Sequence, residues 1–155
     1  MVLVISRLNI SEDDIKALHE VYDELSREDK YRIVWIPIIN PHDREEENRK
    51  RYNYVASKMP WYIVQYTTKI AGWRFLEENW QLREDPLVVV LDSMSKVEFT
   101  NAIHLIRVWG SEAVPFSRRK IDILLESDWP KSTILKFTSH SRVVSNFVYY
   151  THLCL

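Results

Sequence analysis

The chain has 155 residues, 46% hydrophobic and 28% charged, with a formal net charge of −1. That length suits one domain of ordinary globular composition, and the charge gives no electrostatic case for nucleic acid or an anionic membrane. A single cysteine, Cys154, precludes an internal disulfide and fits a reducing compartment. There are only two glycines, Gly72 and Gly110, where average usage would supply about eleven, so no multi-glycine loop can cradle a phosphate.

In chain order, Val2 to Ser6 is a short apolar run that predicts a buried strand. The opening seven residues have no basic n-region and four apolar residues after Met1, which fits neither a signal peptide nor a membrane span. Ser11 is placed to cap a helix, with Asp14 at its third position, where a carboxylate favours the exposed amides. Ile15, Leu18, Tyr22 and Leu25 then recur at helical spacing as one apolar stripe. A second strand is expected from Tyr31 to Asn40. Pro37 cannot donate to a ladder, so this strand is placed at or near a sheet edge or at a bulge. Two strands joined by a helix predict a parallel βαβ unit.

Glu45 to Lys58 reads as a surface helix, acidic first and basic later, with a thin apolar side of Tyr52, Val55 and Met59. Met59 to Val64 reads as an extended link, since Pro60 biases Met59 away from helix. Trp73, Leu76 and Trp80 mark another helix. Pro86 to Asp92 (Pro-Leu-Val-Val-Val-Leu-Asp) is the strand around which the rest must pack. Five consecutive apolar residues, three of them β-branched, predict burial on both faces. Asp92 to Lys96 is a turn and Val97 to Thr100 a short antiparallel return. A helix follows through Ala102, Leu105, Ile106 and Trp109, ended by Gly110 in a left-handed conformation. A last helix runs from Ser117, with Ile121, Leu124 and Leu125 inward, and Pro130 stops it. Val143 to Tyr150 fits strand or helix equally.

The resulting order, a βαβ unit, then helix, then a ββα unit, permits the thioredoxin arrangement. Several stretches go further and resemble the plant sieve element occlusion proteins, the phloem P-proteins whose legume members build forisomes. They are Val2–Ser6, Asn9–Ser11, Ile33–Ile38 (Ile-Val-Trp-Ile-Pro-Ile), Met59–Tyr62 (Met-Pro-Trp-Tyr), Pro86–Asp92 and Asn101–His104. Trp109–Ser111 and Pro115–Phe116 complete the set. The matching blocks span residues 2 to 130 in the family's order.

The resemblance implies an α/β fold, a thioredoxin-like three-layer α/β/α sandwich with a central mixed sheet, over residues 1–130. Residues 131–155 form a tail of unassigned structure. It further implies a non-enzymatic structural protein in the cytoplasm of sieve elements. Such a protein would self-associate, or join other sieve element occlusion proteins, into filaments that occlude sieve plates after wounding. Family members are several times longer, so a fragment or truncated product is expected, with any calcium response belonging to the full-length context. Readings from other classes are a thiol-disulfide oxidoreductase of nucleoredoxin type, which also carries Met-Pro-Trp, and a plain protein-binding module.

Site by site, the sequence offers little chemistry. Disulfide exchange needs a thiolate, and thioredoxin-type enzymes place it at the start of the helix after the first strand. The corresponding stretch here is Arg7, Leu8, Asn9, Ile10 and Ser11, without sulfur. These are vestigial positions, together with Pro86, which stands where thioredoxins carry a cis-proline; cis and trans both stay open. Cys154 reads as a packing or exposed thiol. His19, His42, His104, His140 and His152 lack paired metal-ligand spacing, and His104 reads as a structural histidine. Asp43, Glu45, Glu46 and Glu47 lack the alternation and central glycine of a calcium loop. No cofactor or metal is expected. Arg118, Arg119 and Lys120 read as an exposed basic run. Trp61, Tyr62 and Tyr66, aromatics in an extended link, are the candidate assembly surface.

Overall fold

The computed structural model describes residues 1–27, 31–39, 42–66, 78 and 86–126. The expected helix carrying Trp73, Leu76 and Trp80 lies outside them, as do residues 131–155 with Cys154, His140 and His152.

Five strands form one mixed sheet in the order β3-β2-β1-β4-β5. β1 (Val2–Arg7) is central, and the helix α1 (Glu12–Arg27) crosses over from it to β2 (Ile33–Ile38), which runs parallel to β1 with Val4 opposite Trp35. α2 (Glu45–Ala56) leads to β3 (Tyr62–Ile63), parallel to β2. β4 (Leu87–Leu91) lies antiparallel to β1 on its other side, and β5 (Val97–Phe99) antiparallel to β4. α3 (Ile103–Trp109), a 3-10 turn (Gly110–Ala113) and α4 (Arg118–Glu126) follow. A parallel βαβ unit joined through an intervening segment to an antiparallel ββα unit is the thioredoxin-like order.

Local chemistry explains the boundaries. Ser11 Oγ accepts the Asp14 N–H at 3.1 Å, so the predicted cap forms. Asp92 N–H donates to the Lys96 carbonyl at 2.9 Å, while Asp92 Oδ1 accepts the N–H groups of Met94 and Lys96, which closes the β4–β5 hairpin. α3 ends at Gly110, whose φ of +55° and ψ of −132° differ from the left-handed helical cap expected.

One expectation is corrected. The link after Pro60 is in part a strand: Tyr62 and Ile63 pair with Val34 and Trp35, and the Val64 N–H donates to the Trp35 carbonyl at 2.9 Å. β2 is therefore one strand in from the edge, near it as its proline predicts. The ladder spares the proline, because β3 pairs with only Val34 and Trp35. Among the described residues, Pro37 pairs across to Ser6 of β1 and meets no strand on its other side.

All five residues of β4 are buried, as the unbroken apolar run requires. On one face Val2, Val4, Ile33, Trp35, Val88 and Val90 pack with Leu18, Val21, Ile103, Ile106, Phe116 and Leu124. The other face carries Ile5, Ile38, Leu87, Val89 and Leu91, also buried. Both faces of the sheet are thus buried. Each fully buried aliphatic contributes about 1.5–3 kcal/mol. Among the described residues, no helix is long and apolar enough to cross a membrane.

Candidate functional site

The chain leaves β1 at Arg7 and enters α1 at Glu12, so the thioredoxin position falls on Leu8, Asn9 and Ile10. Arg7 and Asn9 are exposed, Ile10 is half-buried and Leu8 is buried. Because Leu87 pairs with Ile5 in antiparallel register, buried Pro86 stands at the C-terminal end of β1, beside this turn. The fold therefore brings Arg7, Leu8, Asn9, Ile10 and Pro86 to one end of the sheet. The bond before Pro86 involves Asp85, outside the described residues; the cis bond recorded among them is Val114–Pro115.

A shallow hollow of about 280 Å³ opens there, between the turn and α2. Leu8, Ile10, Ile15 and Val55 line it, with Glu12, Arg51 and Tyr54 at its polar margin. Glu12 is held from across the hollow. Lys58 Nζ donates to Glu12 Oε1 and, at 2.6 Å, to the Tyr54 hydroxyl, which itself lies 3.1 Å from Glu12 Oε1. Hydrogen bonds from Lys58 and Tyr54 lower the Glu12 carboxyl below its ordinary value, and the bond to Glu12 raises the Lys58 ammonium. The three side chains tie α2 to the start of α1. None is a nucleophile for disulfide exchange, which has no route here without a thiol.

Behind the turn, Asp14 accepts two hydrogen bonds from Arg107 of α3, Nε to Oδ1 at 2.7 Å and Nη2 to Oδ2 at 3.0 Å. Its carboxylate also accepts the Ser11 hydroxyl at 2.7 Å. The sequence placed Asp14 at a helix start, but Arg107 is 93 residues away and no local spacing reveals the partnership.

The three candidate assembly aromatics separate. Trp61 belongs to the core: it is 6% exposed, its ring 5.2 Å from that of His19 and 5.6 Å from that of Tyr22. It is withdrawn from the surface because the residue before β3 turns inward under α1. Tyr62 is 63% exposed. Tyr66 is half-buried, edge-on to Tyr52 and beneath the Arg49 guanidinium, with its hydroxyl donating to the Glu45 carbonyl at 3.3 Å. On either side of β3, tyrosine hydroxyls reach backbone carbonyls, Tyr22 to Pro60 at 3.5 Å and Tyr52 to Val64 at 3.1 Å.

Among the described residues, no group of three or more histidine, cysteine or acidic side chains could hold a metal ion. His19 Nε2 lies 2.6 Å from the Lys58 carbonyl, a structural contact.

No family model matches the sequence, and no solved structure does. Curated proteins of Arabidopsis thaliana do. Protein SIEVE ELEMENT OCCLUSION B is 29% identical over 147 residues, covering 86% of this chain and 19% of that protein. Protein SIEVE ELEMENT OCCLUSION A is 27% identical over 132 residues, 83% of this chain and 16% of the relative. Probable nucleoredoxin 1 is 32% identical over 111 residues, 72% of this chain and 18% of the relative. The chain spans about a fifth of the length of these relatives. By these matches across most of its length, the chain is related to the plant sieve element occlusion proteins.

Proposed function

We propose that the chain is a non-catalytic structural domain of a phloem sieve element protein, acting in the cytoplasm by self-association. In the full-length setting it would contribute to the filaments that occlude sieve plates after wounding. The observation that carries this reading is the first βα turn. Leu8, Asn9 and Ile10 stand between β1 and α1 without sulfur, and disulfide exchange at that turn would need a thiol, which supports the non-catalytic reading. The similarity to proteins named for sieve element occlusion supports it. Function then rests on buried interface rather than on catalysis.

Sedimentation velocity across a concentration series tests the assembly half, with a mass that rises with concentration expected and a strict monomer overturning it. A second reading, thiol-disulfide exchange, has the nucleoredoxin similarity in its favour. Insulin reduction with dithiothreitol separates the two, since turnover above background would replace the structural reading with the redox one.

A further inference from the structure

α2 inverts its charge about Asn48, in its first half. Glu45, Glu46 and Glu47 precede Asn48, and Arg49, Lys50 and Arg51 follow it. Asn48 is buried against the domain, while all six charged side chains are more than half exposed. The helix contributes little else to the core, with Val55 its one fully buried apolar residue. Its charges pair along the helix four residues apart: Glu45 with Arg49 at 3.1 Å, Glu46 with Lys50 at 2.8 Å and Glu47 with Arg51 at 2.6 Å. A carboxylate has about four acceptor positions, so one intrahelical contact does not saturate it.

Laid in register, a helix with this pattern is complementary to itself only when antiparallel. Laid antiparallel across a two-fold axis at the level of Asn48, two copies bring each position before 48 against the position equally far after it. With Asn48 turned inward, Glu46 and Lys50 lie on the opposite, outward face, so Glu46 meets Lys50 of the second copy, with Glu47 and Arg49 flanking the contact, each pairing occurring twice. A parallel arrangement sets like charges together and is repelled. This is the self-complementarity an isologous interface needs.

The surface also continues into the aromatic edge, since Arg49 lies 4.8 Å over the Tyr66 ring and Tyr66 follows the exposed Tyr62 strand. We infer that α2 is the face through which one copy of this chain meets a second, antiparallel, with Glu46 and Lys50 exchanging partners across the axis and Glu47 and Arg49 flanking them. The inference rests on the self-association reading above and names its surface.

Charge reversal with cross-mixing tests it on the full chain. The variants are E45K/E46K/E47K, R49E/K50E/R51E, and the milder single reversals E46K and K50E, which leave the helix ends intact. Association is read by sedimentation velocity in about 0.05 M and about 1 M sodium chloride, where screening lengths fall from more than 10 Å to about 3 Å. Circular dichroism confirms the fold of each variant. Expected are a wild-type self-association weakened at least tenfold by high salt, a similar loss in each variant alone, and recovery when acidic- and basic-reversed partners are mixed. Association indifferent to salt and to reversal would overturn α2 as the surface while self-association stood. Loss in the variants without recovery on mixing would do the same. A wild type that stays monomeric throughout would overturn both.

Discussion

Asp14, at the third position of α1, and Arg107, in α3, form a two-point ion pair that fastens the first helix of the domain to its ββα half. The Asp14 side chain is 7% exposed and that of Arg107 25%, so water screens the pair only in part. Removing one partner of such a pair strands the other charge, whereas removing both costs less. Asp14→Ala is expected to destabilise the fold by about 2–4 kcal/mol, toward the low end of the buried-pair range because Arg107 reaches solvent. Arg107→Lys should recover only part of the loss of Arg107→Ala, since an ammonium cannot reproduce the fork. Urea denaturation of the singles and the double gives the coupling, and additive effects would refute a paired role.

Trp61 and Tyr62 are neighbours in sequence with opposite environments, one packed on His19 and Tyr22 and the other largely in water. Trp61→Ala should cost about 3–5 kcal/mol through lost burial and a residual cavity. Tyr62→Ala should change stability by less than about 0.5 kcal/mol. Thermal melts of the two variants check this, and equal losses would mean that Tyr62 also holds the core together.

This pair of residues shows where sequence reading succeeds and where it stops. The β4 strand was legible because five apolar residues in a row admit no exposed face, and α1 because its stripe and its Ser11 cap agree. Trp61 was misread because the link's pattern carried no periodicity: a two-residue strand is too short for alternation to show which side faces in. The empty redox position was legible as a missing residue type at a place set by fold order. The hollow above it was not, because Glu12, Tyr54 and Lys58 come from separate helices and a turn, and only tertiary packing brings them together. The same applies to Asp14 and Arg107.

The Glu12–Tyr54–Lys58 contact predicts a pH dependence whose sign follows from the two shifts. Glu12 titrates below its ordinary 4.5 in the folded protein, so its contribution is present above pH 4.5 and is lost as pH falls through the lowered folded value. Lys58 titrates above its ordinary 10.5, so its contribution is present below that pH and is lost as pH rises through the raised folded value. The contact is therefore intact from about pH 4.5 to 10.5 and fails at both extremes. Glu12→Gln should remove part of the acid-side slope of stability while leaving the neutral fold in place. Denaturation midpoints between pH 3 and pH 6 read this directly, and an unchanged slope would show the contact to be energetically silent, as many exposed pairs are.

Gly110 sets the angle at which α3 hands over to the 3-10 turn. Its φ of +55° with ψ of −132° lies where residues bearing a Cβ are strained. A Cβ built there would stand 3.3 Å from Glu20 Oε2 on α1, a tight contact that the carboxylate can relieve by moving. Backbone strain is therefore the larger cost, and Gly110→Ala should destabilise by about 1–3 kcal/mol. Glu20→Ala combined with it separates the two causes. If the double variant recovers most of the loss, the clash dominated; if it recovers little, the backbone conformation itself excludes alanine. The second result is expected, because the exposed end of a glutamate yields easily while the turn is held between Trp109 and Ala113, both buried.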